Sequence, residues 1–332
     1  YGLVGSEMCI RDRFAEQFEI NAHNIFPFQM YGNFRKQYGA SLPDTWDEWK
    51  SFQLAEFAIE KAKVESAGIT KFNLICPYLF NSGNPRFESD SVLYYVKDSP
   101  HTGESIRFRK LNSKFLYDKK IENTWYCQSV AVDDGNLYYN SLELYSNSRL
   151  YYYLKKSGKE SASFRKKRSS WIDVKNGKVC MISEDAGKYV LSVCGSDFKN
   201  EKILLESFVQ ISHCRFSPDG KKIAYSMRDK ENQGKTVIAV LNLEDLKVSK
   251  YSFKGSFCMF PAWKNDSELV FSSDRTGIFN LYELKIKSGT ASRLTNLLTG
   301  AFSSDVSPNG RKLAFTVYGD GGYGVGIMNY PP

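Results

Sequence analysis

The stretch Phe216-Ser-Pro-Asp-Gly-Lys-Lys-Ile-Ala-Tyr225 predicts a β-hairpin. Pro218 fixes its own φ angle, the Asp219 side chain can hydrogen-bond within its own turn, and Gly220 takes positive φ without steric cost. The residues on either side alternate or run apolar, as they do in strands that pack on a sheet. A single hairpin of this kind says little about a fold, so its weight depends on whether it recurs.

The hairpin recurs along the chain. A close copy is Val306-Ser-Pro-Asn-Gly-Arg-Lys-Leu-Ala-Phe315, whose turn contains Pro308, Asn309 and Gly310. Looser copies are Trp263-Lys-Asn-Asp-Ser-Glu-Leu-Val-Phe271, Phe87-Glu-Ser-Asp-Ser-Val-Leu-Tyr-Tyr95, Val132-Asp-Asp-Gly-Asn-Leu-Tyr-Tyr139 and Val174-Lys-Asn-Gly-Lys-Val-Cys-Met181. The turn residues are Asp90, Asp134 with Gly135, Asn176 with Gly177, Asp219, Asp266 and Asn309. Successive turns are therefore 42 to 47 residues apart.

A repeat of about 40–45 residues that holds several short strands is typical of propeller blades. One four-stranded sheet cannot bury both of its faces alone, whereas sheets packed face to face around an axis bury them all. The six turns therefore predict an all-β fold, a six-bladed β-propeller over residues 68–332. The alternative, a two-sheet sandwich with similar turns, would not keep one repeat over six units.

The order of strands in each repeat also predicts how the ring closes. The last repeat reaches its third strand, Tyr323-Gly-Val-Gly-Ile-Met328, and has no fourth. Residues 69–75, Ile-Thr-Lys-Phe-Asn-Leu-Ile, have the character of an outer strand but follow no blade. We expect them to pair with Tyr323–Met328, because an open sheet edge leaves backbone groups unpaired. The alternative is a larger ring, with further blades in a longer gene.

The N-terminal part is a different kind of sequence. Residues 3–13, Leu-Val-Gly-Ser-Glu-Met-Cys-Ile-Arg-Asp-Arg, resemble the in-frame translation of a sequencing adapter, so we treat residues 1–13 as artefactual. Residues 14–67 predict a short α-helical segment that precedes the propeller, the possible C-terminal remnant of an upstream domain.

Two helices are expected within residues 14–67. One ends at Gly39, which can cap a helix in a left-handed conformation. The other covers about residues 45 to 65, with Asp44 as its N-cap and Gly68 after its end. Its apolar side chains recur at spacings of three and four, and include Trp46, Trp49, Phe52, Leu54, Phe57 and Ile59. We expect this stripe to be part of a core rather than a platform for a ligand.

Composition excludes some classes of protein. A net charge of +8 over 332 residues favours acidic partners only weakly, and we expect no nucleic-acid partner. The densest basic run, Arg165-Lys-Lys-Arg168, lies between two repeats and predicts a solvated loop. No run of eighteen apolar residues is present, so no membrane-spanning helix is expected.

The cysteine pattern does not indicate a metal site. Of seven cysteines, Cys9 lies in the adapter-like segment, and no C-x-x-C spacing exists, so a zinc knuckle is not supported. The others lie in or near predicted strands: Cys76, Cys127, Cys180, Cys194, Cys214 and Cys258. We expect buried free thiols. In an oxidising compartment a disulfide could form, for example between Cys180 and Cys194, and the sequence does not decide this.

Several motifs together resemble the TolB-type, WD-like β-propeller repeats of bacteria. They are Ser217-Pro-Asp-Gly220, Pro261-Ala-Trp263, Ser272-Ser-Asp-Arg-Thr-Gly-Ile-Phe-Asn-Leu-Tyr282, Leu294-Thr-Asn-Leu-Leu-Thr-Gly-Ala-Phe302 and Ser307-Pro-Asn-Gly310. The resemblance covers about residues 68 to 332 and implies a propeller in the periplasm or outside the cell. Because such propellers have many roles, the resemblance does not specify a function.

Two loops invite a functional interpretation but are better explained as turns. Asp274 and Arg275 lie together, yet Asp274 is placed to bond its own turn, and Gly277 can take positive φ before the strand Phe279–Leu284. The stretch Gly319-Asp-Gly-Gly-Tyr-Gly-Val-Gly326 is rich in glycine, but it joins two strands and opens no helix. We therefore expect a hairpin there rather than a phosphate site.

Residues 14–67 resemble the helical end of a gluzincin-type zinc peptidase domain, through Tyr38-Gly39 and the helix that contains Trp46 and Trp49. Such an enzyme needs two His at i and i+4 with a Glu between them, whereas this chain has only His23, His101 and His213. No Gly-x-Ser-x-Gly, P-loop or dinucleotide motif is present either. We expect no catalytic residue, cofactor or metal in this chain.

Two hypotheses for function follow. The first is a non-catalytic propeller that acts as a scaffold and presents its loops to a protein, peptide or glycan partner. The second is the accessory propeller of a larger bacterial peptidase whose catalytic part is absent from this fragment. That part would be an upstream zinc metallopeptidase or a downstream prolyl-oligopeptidase-like hydrolase. The motifs His-Glu-x-x-His upstream or Gly-x-Ser-x-Gly downstream in the complete reading frame would distinguish these versions.

Overall fold

The computed structural model describes residues 16, 19–23, 30–113, 118–144, 150–158 and 163–331. The chain divides into two compact units, residues 1–67 and residues 68–332. The adapter-like residues 1–13 lie outside the described residues. No helix in the described ranges is both long enough and apolar enough to cross a membrane.

The first unit includes the helices α1 (Met30–Tyr38) and α2 (Leu42–Ser66). Gly39 follows α1 with φ of 77°, which agrees with the predicted glycine cap. Helix α2 begins earlier than predicted, because Ser41 rather than Asp44 is its N-cap. The Ser41 hydroxyl oxygen accepts a hydrogen bond from the Asp44 N–H (3.2 Å), which satisfies one of the free donors at the helix start.

The apolar stripe of α2 does not form a core, so the expectation for these side chains is wrong. Its large members are 50–59% exposed: Trp46, Trp49, Phe52, Leu54, Phe57 and Ile59. None of the described residues of α2 is buried. The spacing of apolar side chains along a helix cannot show whether another element covers them.

The second unit is a six-bladed β-propeller, as the repeat predicts, with four antiparallel strands in each sheet. Blade 6 takes its outer strand from the start of the unit, β1 (Asn73–Leu79). Blade 1 contains β2 (Gly83–Ser89), β3 (Val92–Lys97), β4 (Ser105–Lys110) and β5 (Asp118–Asn123). Blade 2 contains β6 (Val130–Asp133), β7 (Asn136–Leu144), β8 (Leu150–Gly158) and β9 (Ser163–Lys166). Blade 3 contains β10 (Ser169–Lys175), β11 (Lys178–Asp185), β12 (Lys188–Gly195) and β13 (Lys202–Ser207).

Blade 4 contains β14 (Ile211–Phe216), β15 (Lys222–Arg228), β16 (Thr236–Asn242) and β17 (Val248–Tyr251). Blade 5 contains β18 (Cys258–Asn265), β19 (Glu268–Ser273), β20 (Asn280–Lys285) and β21 (Thr290–Arg293). Blade 6 is completed by β22 (Ala301–Val306), β23 (Lys312–Gly319) and β24 (Gly322–Asn329). The first strand of each blade contacts the first strands of its neighbours, so these six strands surround the axis.

The ring closes where the sequence predicts, through pairing of an N-terminal strand with the last strand. Strand β1 pairs antiparallel with β24, with Asn73 opposite Ile327 and Leu79 opposite Tyr323. The pairing confirms the expected closure, although the strand lies four residues further along the chain than residues 69–75. A cluster of Ile75, Leu93 and Ala314 then packs β1 and blade 6 against blade 1.

The glycine-rich stretch of blade 6 forms a hairpin, as predicted, with its turn at residues 320–321. Its glycines also make room for the closing strand. A Cβ atom at Gly319 would lie 2.6 Å from the Tyr78 ring, and one at Gly326 would lie 2.8 Å from the Phe72 ring. Any larger residue at these positions would therefore push β1 away from β24.

The described cysteines are buried free thiols. Cys180 pairs with Val193 and its neighbour Val179 pairs with Cys194 in the β11–β12 ladder. Because side chains alternate between the faces of a sheet, Cys180 and Cys194 project on opposite faces. A disulfide between Cys180 and Cys194, which the sequence allowed, is therefore excluded.

Candidate functional site

The antiparallel order of the strands gives the propeller two different faces. The hairpin face carries the turns between first and second strands and between third and fourth strands. The connector face, on the opposite side, carries the segments that lead from one blade to the next and the turns between second and third strands.

The predicted turn residues of the six hairpins lie on the hairpin face and link blades to one another. The Asn309 N–H donates to Asp90 Oδ1 (2.9 Å), which joins blade 6 to blade 1. The Asp219 N–H donates in the same way to Asp266 Oδ1 (2.9 Å), which joins blade 4 to blade 5. The other predicted positions also fall in these turns: Asp134, Gly135, Asn176, Gly177, Pro218, Gly220, Pro308 and Gly310. Their polar groups serve the hairpins and the contacts between blades.

The predicted turn at Asp274, Arg275 and Gly277 lies on the connector face. Gly277 has φ of 88°, as expected. The Asp274 side chain does not bond its own turn as expected, because its Oδ1 accepts a hydrogen bond from the Phe257 N–H (2.7 Å) in the segment that enters blade 5. The turn is closed instead by the Asp274 carbonyl oxygen, which accepts from the Gly277 N–H (2.8 Å). The Arg275 guanidinium stacks on the Phe253 ring at 4.2 Å. Both side chains therefore hold the blade together.

The basic run Arg165–Arg168 is not the solvated loop that the sequence suggested. Its first two residues end β9. Arg165 forms an ion pair with Glu201 (2.8 Å), Lys167 contacts the same carboxylate, and Arg168 lies 3.6 Å from Glu184. The acidic partners come from blade 3, so they were not visible in the local sequence.

Four charged side chains from four different blades meet at the axis: Arg86, Asp173, Arg215 and Asp305. Arg86 lies 3.5 Å from Asp173 and 3.6 Å from Asp305. Arg215 lies 3.9 Å from Asp173 and 3.5 Å from Asp305. Each carboxylate thus faces two guanidinium groups, and we call this set the axial charge network.

The same carboxylates also join neighbouring blades. Asp173 Oδ2 accepts from the Phe216 N–H, and Asp305 Oδ2 accepts from the Phe87 N–H, both at 2.8 Å. Burial raises the pKa of Asp173 and Asp305 to about 6, against the opposing effect of the Arg86 guanidinium. Both carboxylates are therefore ionised at neutral pH and neutralised by the arginines.

A second layer of side chains lies beside the axial charge network, on the side of the connector face. Its residues stand two positions before the axial position of their strands. This layer consists of Asn84, Gln128, Trp171, His213, Phe260 and Ser303, one from each blade. Register shifts that mark β-bulges occur at this level in several of the inner strands. His213 and Phe260 have φ of 59° and 58°, a conformation that is uncommon for residues other than glycine. Bulges of this kind turn a side chain out of the ordinary strand alternation.

His213 is enclosed within this layer. Its ring centroid lies 4.0 Å from that of Trp171 and 4.0 Å from that of Phe260. Its Nδ1 atom lies 2.9 Å from Ser212 Oγ and 3.0 Å from Ser226 Oγ. Burial lowers the pKa of His213 to about 3, so the ring is neutral at physiological pH.

The axis leaves little free space between these layers. The cavity that they enclose is about 20 Å³, which is room for about one water molecule. Within the described ranges, no group of three or more His, Cys, Asp or Glu side chains is placed to hold a metal ion. The arrangement of the axis is therefore that of a packed core with paired charges.

The connector face, in contrast, exposes aromatic side chains. Among the described residues of the propeller, the exposed large aromatic side chains are 45–79% accessible and all lie on this face: Phe80, Trp125, Tyr126, Phe208 and Tyr318. Four of them occur in segments between blades, and Tyr318 is next to the turn between β23 and β24. On the hairpin face the exposed apolar side chains include the aliphatic Leu246 and Val248.

The charged residues of the axis have a signal in the sequence. Arg86, Arg215 and Asp305 each stand four residues before the turn residue of their hairpin. Aligned on their turns, three repeats have a charge at this position and the other three have Val130, Ile172 and Ala262. The exposed aromatic residues had no comparable signal, because they lie in segments whose length and sequence differ between blades.

Comparison with known proteins agrees with the repeat and the fold. Residues 170–330 match the TolB β-propeller domain family, PD40. A protein described as a TolB homolog from Chlorobium chlorochromatii (strain CaD3) is 30% identical over 139 residues, which is 42% of this chain and 30% of that protein. The match therefore spans less than a third of the relative's length.

Solved structures show the same architecture. TolB from Acinetobacter baumannii superposes with a TM-score of 0.55 at 15% identity, over 73% of this chain and 65% of that one. A gluconolactonase from Xanthomonas campestris superposes with a TM-score of 0.57 at 12% identity, over 79% of this chain and 89% of that one. At these identities the likeness concerns the fold alone. With the six blades, the Ser-Pro-Asp-Gly and Ser-Pro-Asn-Gly hairpins and the matched domain, residues 68–332 form a β-propeller that is similar to those of the TolB type.

Proposed function

We propose that this propeller is a non-catalytic scaffold that binds a protein or peptide partner through its connector face. The observation that carries the proposal is the concentration of exposed aromatic side chains on that face. Aromatic residues are enriched at protein interfaces and supply much of their binding energy, because they bury a large area at a small cost in conformational entropy.

The axis supports binding rather than catalysis. The arginines of the axial charge network are neutralised by Asp173 and Asp305, and its carboxylates also accept backbone hydrogen bonds from neighbouring blades. His213 is neutral, half-buried and held between two rings. These groups stabilise the ring, which leaves the rim of the connector face as the surface for a partner.

The test compares two pairs of substitutions on opposite faces. One variant carries Trp125→Ser and Tyr126→Ser on the connector face, and the control carries Leu246→Ser and Val248→Ser on the hairpin face. Each protein is used to capture partners from a bacterial envelope extract, after unfolding measurements show that both variants are folded. We expect a partner captured by the native chain to be retained by the control and lost by the Trp125/Tyr126 variant. Equal capture by both variants would refute the proposed face.

We propose further that the protein works in the periplasm or outside the cell, as the TolB-type resemblance implies. The peptidase version of the function rests on the resemblance of residues 14–67 to the end of a gluzincin-type domain. Sequencing the complete gene tests it. A His-Glu-x-x-His motif upstream or a Gly-x-Ser-x-Gly motif downstream would make the propeller an accessory domain, and the absence of both would leave the scaffold.

A further inference from the structure

Two cysteines meet across the interface between blades 3 and 4. Cys180 lies in β11, the second strand of blade 3, and Cys214 lies in β14, the first strand of blade 4. Their side chains are 0% and 2% exposed and belong to one apolar cluster. Burial, and next to it the neighbouring Cys214 thiol, raise the pKa of the Cys180 thiol.

The surrounding contacts hold the two strands in place. Asp173 is the cross-strand partner of Cys180, and its carboxylate accepts a hydrogen bond from the Phe216 N–H of β14 (2.8 Å). The Cys214 thiol donates to the Trp171 carbonyl oxygen of β10 (3.7 Å). Blade 4 is thus anchored to blade 3 on both sides of the thiol pair, which keeps the two sulfur atoms together.

The other described cysteines have no such neighbour. Each lies in a different cluster, between a different pair of blades: Cys76, Cys127, Cys194 and Cys258. The Cys127 thiol donates to the Ser129 carbonyl oxygen (3.5 Å), and the Cys258 thiol donates to the Ser273 hydroxyl (3.7 Å). Among the described cysteines, Cys180 and Cys214 are therefore the pair that shares one cluster.

We propose that Cys180 and Cys214 are a redox site that forms a disulfide between blades 3 and 4 when the chain folds with a disulfide oxidant. The thiolate of one cysteine attacks the oxidant, R–S–S–R, forms a mixed disulfide and releases one R–S⁻. The second thiolate then attacks the mixed disulfide, closes the Cys180–Cys214 bond and releases the other R–S⁻. Two electrons pass to the oxidant, and the two cysteine protons leave with it as two R–SH.

The burial of Cys180 and Cys214 determines at which stage of folding this reaction takes place. Burial raises the pKa of the Cys180 thiol well above its usual value, so little thiolate is present in the folded protein. An oxidant also has no access to side chains that are 0% and 2% exposed. The disulfide should therefore form before blades 3 and 4 have closed on each other, and the folded, reduced protein should react slowly.

The experiment refolds the full chain from urea with either oxidised or reduced glutathione, counts free thiols in denaturant and maps cross-linked peptides by mass spectrometry. We expect two of the seven thiols to be lost with oxidised glutathione, one peptide that joins Cys180 to Cys214, and a higher urea midpoint. Cys76→Ala should keep the cross-link, whereas Cys214→Ala should keep all of its thiols. Seven free thiols, glutathione adducts alone, or a link between other cysteines would overturn the proposal. If Cys214→Ala does not fold, the peptide map of the native chain decides alone.

Discussion

At the level of single residues, the axial charge network shows most clearly how residues that are distant in sequence determine each other's environment. Arg86 and Asp305 occupy the position four residues before the turn of their hairpins, where three other repeats have Val130, Ile172 and Ala262. The sequence cannot show that they meet, because the partners come from blades at opposite ends of the chain. Only the closed ring brings them within 3.6 Å.

Removing one member of this network should strongly destabilise the fold. Arg86→Met leaves the largely buried Asp173 and Asp305 with Arg215 as their remaining cationic partner, and it removes the hydrogen bond from Arg86 Nε to the Val130 carbonyl oxygen (2.6 Å). We expect the free energy of unfolding in urea to fall by about 3–5 kcal/mol.

The matched control for Arg86→Met is Arg168→Met, which breaks the exposed ion pair with Glu184. Exposed pairs contribute about 0–1 kcal/mol, so this variant should unfold almost like the native chain. Similar losses in the two variants would contradict a special role for the axial charges.

His213 should make the protein less stable in acid. Its pKa in the fold is about 3, below the ordinary value of 6.5, so the unfolded chain binds a proton at pH 5 that the folded chain does not. Stability from this residue is therefore lost as the pH falls through 6.5 toward 3. Between pH 7 and pH 5 the native chain should lose about 2 kcal/mol relative to a His213→Gln variant.

The comparison with His213→Gln isolates the histidine. Asp173 and Asp305, whose pKa values are raised, change stability in the opposite direction over the same range, and their effect cancels between the two proteins. Unfolding curves of both proteins at several pH values measure the difference. A difference that does not change with pH would show that the fold does not lower the pKa of His213.

At the scale of elements, the hairpins were predictable because their signals are local. Pro218, Asp219 and Gly220 define a turn from within the turn itself. The boundaries of strands and the burial of helix side chains were less predictable, because both depend on partners elsewhere in the chain. Strand β1 begins and ends four residues later than the expected segment, and the apolar side chains of α2 are exposed. The role of the glycines in β23 and β24 was not predictable, because the Tyr78 and Phe72 rings that they contact lie far from them in the chain.

The contact between Gly319 and Tyr78 can be tested by a double-mutant cycle. All of the nearest atoms to a Cβ at Gly319 belong to the Tyr78 side chain. We expect Gly319→Ala to lower the free energy of unfolding by about 1–3 kcal/mol through overpacking. In a Tyr78→Ala background the same substitution should cost less than about 0.5 kcal/mol. An equal cost in both backgrounds would mean that the glycine serves another purpose.

At the scale of the whole molecule, β1 should control cooperative unfolding. One variant begins at Gly68 and keeps β1, and a matched variant begins at Ser82 and lacks it. Without β1 the edge of β24 is open and the packing of Phe72, Ile75 and Tyr78 is lost. We expect the first variant to unfold in one sharp transition, and the second to lose more than about 3 kcal/mol and to unfold over a broad range of urea. Identical transitions would contradict closure by β1.

The repeat alone was sufficient to predict the number of blades and the closure of the ring, because both follow from a fixed number of strands per unit. The binding face was not predictable in this way. The connectors that carry Phe80, Trp125 and Phe208 do not follow the repeat, and only the folded ring shows that they come to the same face.

Site-specific photo-crosslinking tests the connector face most directly. A benzophenone amino acid replaces Tyr126 on the connector face in one protein and Leu246 on the hairpin face in another, and each is irradiated in an envelope extract. We expect a discrete cross-linked adduct from position 126 and none from position 246. An adduct from position 246 alone, or the same adducts from both positions, would contradict the proposal that the connector face binds the partner.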